Sequence, residues 1–263
     1  MDATIEVRDL TVRFGGVTAV DGVSFDVLSG EILGVIGPNG AGKTTMFNAV
    51  TGMVRVAGGA VRAAGRDITN ARPEKVTRIG IARTFQLVRL FRSMSVAENV
   101  AVGALATGAG YRAARTEASR VIDLFGLGDV RDTPVGALPL ATQKKTEIAR
   151  AVATGPKVLL LDEMMNGLTR EETASLVGLV RELNAGGLTV VLVEHIIPVI
   201  RALCGRLIVV DHGKLIATGT PAECLADPVV VEAYIGAAAK SPARDRDRDS
   251  AGGVASQESK EEA

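Results

Sequence analysis

Gly37-Pro38-Asn39-Gly40-Ala41-Gly42-Lys43-Thr44 is the stretch from which the rest of the chain is read. An apolar run, residues 31–36, precedes it and reads as a buried strand; residues 43–50 follow and read as a helix. The stretch matches G-x-x-x-x-G-K-[ST] at every required position. Glycines carry no Cβ, so consecutive backbone amides can curl around an anion. In such a loop the lysine, Lys43, reaches the β- and γ-phosphates of a nucleotide, and the Thr44 hydroxyl holds Mg2+. The helix that starts there adds its positive N-terminal end. The predicted nucleotide cradle is therefore Gly37, Pro38, Asn39, Gly40, Ala41, Gly42, Lys43, Thr44 and Thr45, and ATP with Mg2+ is the expected ligand.

A second motif belongs with the first. Val158-Leu159-Leu160-Leu161-Asp162-Glu163 is an apolar strand ending in two acids. At the carboxyl end of a parallel strand such acids face the crevice where ligands bind. Asp162 is then placed to hold Mg2+, and Glu163 to orient and polarise an attacking water. Without the phosphate loop the same pair would read as a helix cap or a solvated turn.

Around these motifs the chain alternates strands and helices. Strands are expected at residues 5–14, 23–27, 158–161 and 188–193, and helices at 112–125, 143–154 and 171–184. That alternation argues for an α/β parallel core. Residues 87–153 lack strand signals and read as a helical insertion. After residue 239 the composition changes to alternating Arg and Asp, then Gly and Glu, so 240–263 is expected to be a disordered charged tail behind a domain spanning 1–239. The 263 residues are 47% hydrophobic, which supports a core, and thirty basic residues cancel thirty acidic ones. Neither that balance nor the 3% aromatic content favours a nucleic-acid partner. Residues 1–11 are too charged for a signal peptide, and no run of about 18 apolar residues reads as a membrane span. Cys204 and Cys224 lack metal spacing.

With Phe14, Gln86, Glu163 and His195 in order around the two loops, residues 5–236 resemble ATP-binding cassette proteins. The resemblance implies an α/β phosphate-loop NTPase with a RecA-like parallel-sheet core, an N-terminal antiparallel β subdomain and a helical subdomain at about 87–153. It implies that Phe14 stacks on adenine, although a core Phe at a strand end is an equal reading of the residue. It further implies that Gln86 touches Mg2+ and the lytic water and that His195 contacts the γ-phosphate; His212 reads as a hairpin-turn residue. Arg13-Phe14-Gly15-Gly16-Val17, residues 82–91, Gly219-Thr220-Pro221 and Tyr234-Ile235-Gly236 are similar to the ATPases of branched-chain amino-acid importers, with urea and amide importers close behind. The implied partners are a second cassette ATPase, two transmembrane permeases and an extracytoplasmic solute-binding protein, at the cytoplasmic face of a bacterial membrane. A regulatory cassette with little turnover, a cassette of nucleic-acid metabolism and a phosphoryl-transfer kinase are the competing readings.

The chain departs from the family in the parts that it would lend to a partner. Leu138-Pro139-Leu140-Ala141-Thr142 stands where the family signature reads Leu-Ser-Gly-Gly-Gln. Pro139 has neither hydroxyl nor N–H to offer a phosphate, and Ala141 adds a Cβ where glycine allowed close approach. Met164 replaces a proline, and Gly167-Leu168-Thr169 ends without the customary Asp or Asn. The nucleotide loops are intact while the signature is not, so the expected partner cassette is a different chain.

Overall fold

β1 (Ala3–Phe14) and β2 (Val17–Leu28) open the chain as an antiparallel pair, followed by β3 (Ile32–Ile36) and α1 (Lys43–Val50). The computed structural model describes residues 3–240. Next come β4 (Gly58–Ala63), β5 (Arg66–Asp67), α2 (Pro73–Ile79) and β6 (Ile81–Arg83). The insertion holds α3 (Val96–Leu105), α4 (Tyr111–Leu124) and α5 (Leu140–Val152), with two short 3-10 turns between α4 and α5. β7 (Val158–Asp162), α6 (Arg170–Ala185), β8 (Thr189–Val193), α7 (Ile197–Leu203), β9 (Arg206–Asp211), β10 (Lys214–Gly219), α8 (Pro221–Ala226) and α9 (Pro228–Lys240) complete it.

Two sheets result. The antiparallel one runs β2-β1-β4-β5; the other runs β10-β9-β3-β8-β7-β6 and is parallel except for β10. Every residue of β3, β7 and β8 is buried, as expected for strands covered on both faces. Their side chains alternate between two cores. Leu33, Val35, Val158, Leu160, Val191 and Val193 pack with Met46 and Phe47 of α1 and with the antiparallel sheet. Ile36, Leu159, Leu161, Val190 and Leu192 pack toward the helical insertion. In β1 the buried positions are Ile5, Val7, Leu10 and Val12, a phase change of one residue. A register shift between Val7 and Leu10, with Asp9 in the left-handed region at φ 47, absorbs the extra residue as a bulge.

The segment read as a helical insertion contains α3, α4 and α5. In α4, Ala114, Ala118, Val121 and Ile122 are buried at helical spacing. α5 begins three residues earlier than expected, at Leu140: Pro139 supplies the N-cap with φ −57, and a proline's fixed φ suits a helix start. β2 also extends beyond residues 23–27, by six residues before and one after, because pairing with β1 holds polar Thr18 in the strand opposite Arg13. His212 lies in the β9–β10 turn at φ 44 with Gly213 at φ 76, the primed hairpin geometry. Of the segment expected to be a charged tail, Lys240 ends α9, and 241–263 lie outside the described residues. Among the described residues no helix is long and apolar enough to cross a membrane.

Candidate functional site

Adjacent parallel strands β3, β8, β7 and β6 bring four loops to one edge. The glycine loop leaves β3, Glu194-His195 leaves β8, Asp162-Glu163 ends β7, and Thr84-Phe85-Gln86 leaves β6. The register aligns them: Val35 lies beside Val193, Val193 beside Asp162, and Arg83 beside Leu160. All the residues predicted for catalysis and for the cation thus gather at the carboxyl edge of the sheet, where α/β folds bind ligands.

The glycine loop is shaped by close approach. A Cβ at Gly37 would sit 1.9 Å from the Val210 carbonyl oxygen, and one at Gly42, at φ 102, would sit 2.5 Å from that of Ala19. Gly42 also caps α1 without any side-chain hydrogen bond, and no acid occupies the first turn, so the helix end is left to an anion. Asn39, Gly40 and Thr44 are exposed, Thr45 is half-buried, and Pro38 and Ala41 are buried. Lys43 is buried, its Nζ donating to the carbonyls of Gly37 at 2.7 Å and Pro38 at 2.8 Å. Burial pushes its pKa down, and Glu163 and then Asp162 push it back. The ammonium is therefore held inside the loop and faces both acids.

Asp162 is 1% exposed. Its Oδ2 meets Arg83 Nη2 at 3.3 Å, while Oδ1 is buried without a hydrogen-bond partner. Burial raises its pKa, against Arg83. An orphaned carboxylate oxygen at the edge of a phosphate cradle fits a hard divalent cation. Arg83 escaped the sequence reading; it also donates to Asn48 Oδ1 at 2.6 Å and stacks on Phe85. Glu163 has φ 49, a conformation that a non-glycine residue keeps only when its surroundings impose it. Its Oε2 accepts from Gln86 Nε2 at 2.7 Å and Asn166 Nδ2 at 2.8 Å. Asn166 was also missed, and no spacing rule would have found it: only the turn after β7 brings it back onto Glu163.

Phe14 ends β1 with 52% of its surface exposed, so the core reading of this residue is overturned and an open aromatic face remains. His195 is exposed just past β8, beside the buried Glu194. In the altered signature, Gln143 Nε2 donates to the Leu138 carbonyl at 2.7 Å, and Leu140 lies against Gly167. Thr169, the departure in the following loop, has a local task. Its hydroxyl accepts from the Glu172 N–H and Glu172 accepts from its N–H, a capping box that starts α6.

Fold and site together define a phosphate-loop nucleotide hydrolase with a helical insertion between the glutamine loop and the acidic strand. Residues 20–166 match the model of the ABC transporter family, and residues 214–240 that of the branched-chain amino acid ATP-binding cassette transporter. The chain belongs to the ABC transporter family as one of its ATP-hydrolysing cassettes. It is 36% identical to the high-affinity branched-chain amino acid transport ATP-binding protein BraF of Pseudomonas aeruginosa over 250 residues, covering 89% of this chain and 98% of the relative. Against LivG of Salmonella typhimurium, of the same description, identity is 38% over 251 residues with the same coverage. A nucleotide-free ATP-binding cassette from an ABC transporter superposes with TM-score 0.83 at 30% identity, covering 89% of this chain and all of the other. The ADP conformation of such a cassette gives 0.82 at 31% identity, covering 90% of this chain and all of the other.

Proposed function

We propose that this chain hydrolyses ATP to drive import of branched-chain amino acids, or of a related small polar solute such as urea or an amide, from the cytoplasmic face of a bacterial membrane. The observation that carries the hydrolytic reading is the Glu163 carboxylate. Gln86 and Asn166 both hold Oε2, and among the described residues nothing hydrogen-bonds Oε1. A carboxylate fixed by one oxygen and open at the other can orient a water and draw off its proton as it attacks the γ-phosphate. Phe14 offers its open face to adenine, and the amides from Gly37 to Thr45 take the phosphates. Lys43 takes the β- and γ-phosphate charge, and His195 contacts the γ-phosphate. Thr44, Gln86 and Asp162 hold Mg2+, which when bound neutralises charge on the phosphates. The C-terminal match and the relatives' descriptions support the solute class.

The partners in this reading are a second, different cassette, two transmembrane permeases and an extracytoplasmic solute-binding protein, with no nucleic acid. Pro139 at the N-cap of α5 has no N–H and makes no side-chain cap, and Leu140 is 44% exposed beside it. A phosphate gains little from that surface, so this chain caps its partner's ATP poorly while its own cradle is complete. The test is uptake of labelled leucine, urea and acetamide into liposomes carrying the full complex. ATP-dependent uptake of one of them, lost on Glu163→Gln, is expected. Turnover indifferent to all three, with no uptake, overturns the solute class.

A further inference from the structure

The turn that aims Glu163 is gripped from two sides by buried charges. Lys144, on α5 and 3% exposed, donates from Nζ to the Met164 carbonyl at 2.9 Å and to the Asn166 carbonyl. Glu194, just past β8 and 1% exposed, accepts from the Met165 N–H at 2.9 Å. Two peptide groups are therefore fixed: the one joining Met164 to Met165 is held by Lys144 at its carbonyl and by Glu194 at its N–H, and the one joining Asn166 to Gly167 is held by Lys144. Burial pushes the Lys144 ammonium's pKa down and raises that of the Glu194 carboxyl; Glu194 leads the groups that restore Lys144. An apolar side chain of equal length would fill the space at α5 without that desolvation cost. What it would not do is hold two backbone carbonyls.

The gripped turn ends at Asn166, whose side chain donates to Glu163 Oε2. Glu163 itself is in the left-handed region, so its direction depends on the backbone that follows. α5 is also the helix whose first turn carries Leu140 and Ala141 of the altered signature. One helix thus presents its tip outward and, one turn further on, holds the loop behind the carboxylate.

We propose that Lys144, together with Glu194, is a positioning residue for hydrolysis: it locks the turn of residues 164–166, holds Glu163 through Asn166, and makes that carboxylate sensitive to any displacement of α5. The proposal rests on Glu163 being the group that orients the lytic water. Lys144→Met removes both donors at nearly constant length, and Lys144→Arg keeps charge and donors. The measurements are kcat and KM for ATP of the assembled transporter, each in the parent background and in Glu163→Gln. Lys144→Met is expected to lower kcat about tenfold or more in the parent with KM within about twofold, and to cost less than about twofold in Glu163→Gln, because groups acting as a unit are not additive. Lys144→Arg restores most of the loss. If Lys144→Met does not fold, Lys144→Met/Glu194→Gln keeps the Met165 hydrogen bond, removes the unpaired carboxylate and takes its place. Equal losses in both backgrounds, or a raised KM at unchanged kcat, overturn the proposal. Undiminished turnover in Glu163→Gln alone instead removes the reading of Glu163 on which it stands.

Discussion

Replacing Arg83 by Met should unfold this cassette many degrees early, and the size of the effect follows from burial. The Arg83 side chain is 8% exposed and that of Asp162 1%, with Nη2 and Oδ2 3.3 Å apart. Removing one partner of a buried ion pair leaves the other charge uncompensated, at a cost of about 3–5 kcal/mol. The lost donation to Asn48 and the lost stacking on Phe85 act in the same direction. In a domain of this size 1 kcal/mol moves the melting temperature by about 2–4 °C, so a fall of about 8–16 °C is expected for ~4 kcal/mol. Asp162→Asn in the same chain removes the stranded charge and should recover at least half. Burial already holds the Asp162 carboxyl above its ordinary range, and loss of Arg83 raises it further. The folded variant therefore binds a proton more readily than the unfolded chain does. Its deficit is full above the raised pKa and shrinks as pH falls toward the ordinary carboxylate range. Thermal unfolding followed by circular dichroism, near neutral and at mildly acidic pH, checks both points. A melting temperature within about 2 °C of the parent, or a double variant weaker than the single one, would refute the reasoning.

Lys43→Ala should weaken Mg-ATP binding about 10- to 150-fold, for a charge-assisted phosphate contact worth ~1.5–3 kcal/mol; unchanged affinity by calorimetry would remove Lys43 from the cradle. Phe14→Ala should weaken ATP and GTP alike, by about fivefold for ~1 kcal/mol, because stacking reads a ring face and not an edge. Thermal-shift titration with both nucleotides measures it, and equal affinities for variant and parent would leave the exposed ring without that role. Cys204 and Cys224 are both buried, and burial pushes the Cys204 thiol up to about 12, which leaves a thiolate fraction of about one in ten thousand at pH 8. A chromogenic disulfide reagent should therefore titrate both thiols in guanidinium and neither in the native chain; prompt native reaction at either site would contradict the packing.

Much of the fold was legible because its deciding signals are local. The glycine loop, the apolar runs of β3, β7 and β8, and the α4 stripe each follow from a short window. β4, β5 and the edge strand β6 were not found, because short strands depend on partners far away in sequence. In the site, the sequence named the groups proposed to meet the nucleotide but missed those that hold them. Arg83 lies at the end of β6, Asn166 three residues past Glu163, and Lys144 inside a helix. None forms a motif; each becomes visible only when β6, β7 and α5 converge on the Asp162-Glu163 corner. Thr169, where the loop departs from the family's usual Asp or Asn, also caps α6, which the sequence reading did not see.

In the proposed asymmetric pair, this chain's own site carries the hydrolysis. This is tested most directly by the steady-state ATPase rate of the assembled transporter with Glu163→Gln, compared with the matching substitution in the partner cassette. Loss of the Glu163 carboxylate should cost ~100-fold or more, and loss of the partner's much less. Equal losses at the two sites would contradict the account.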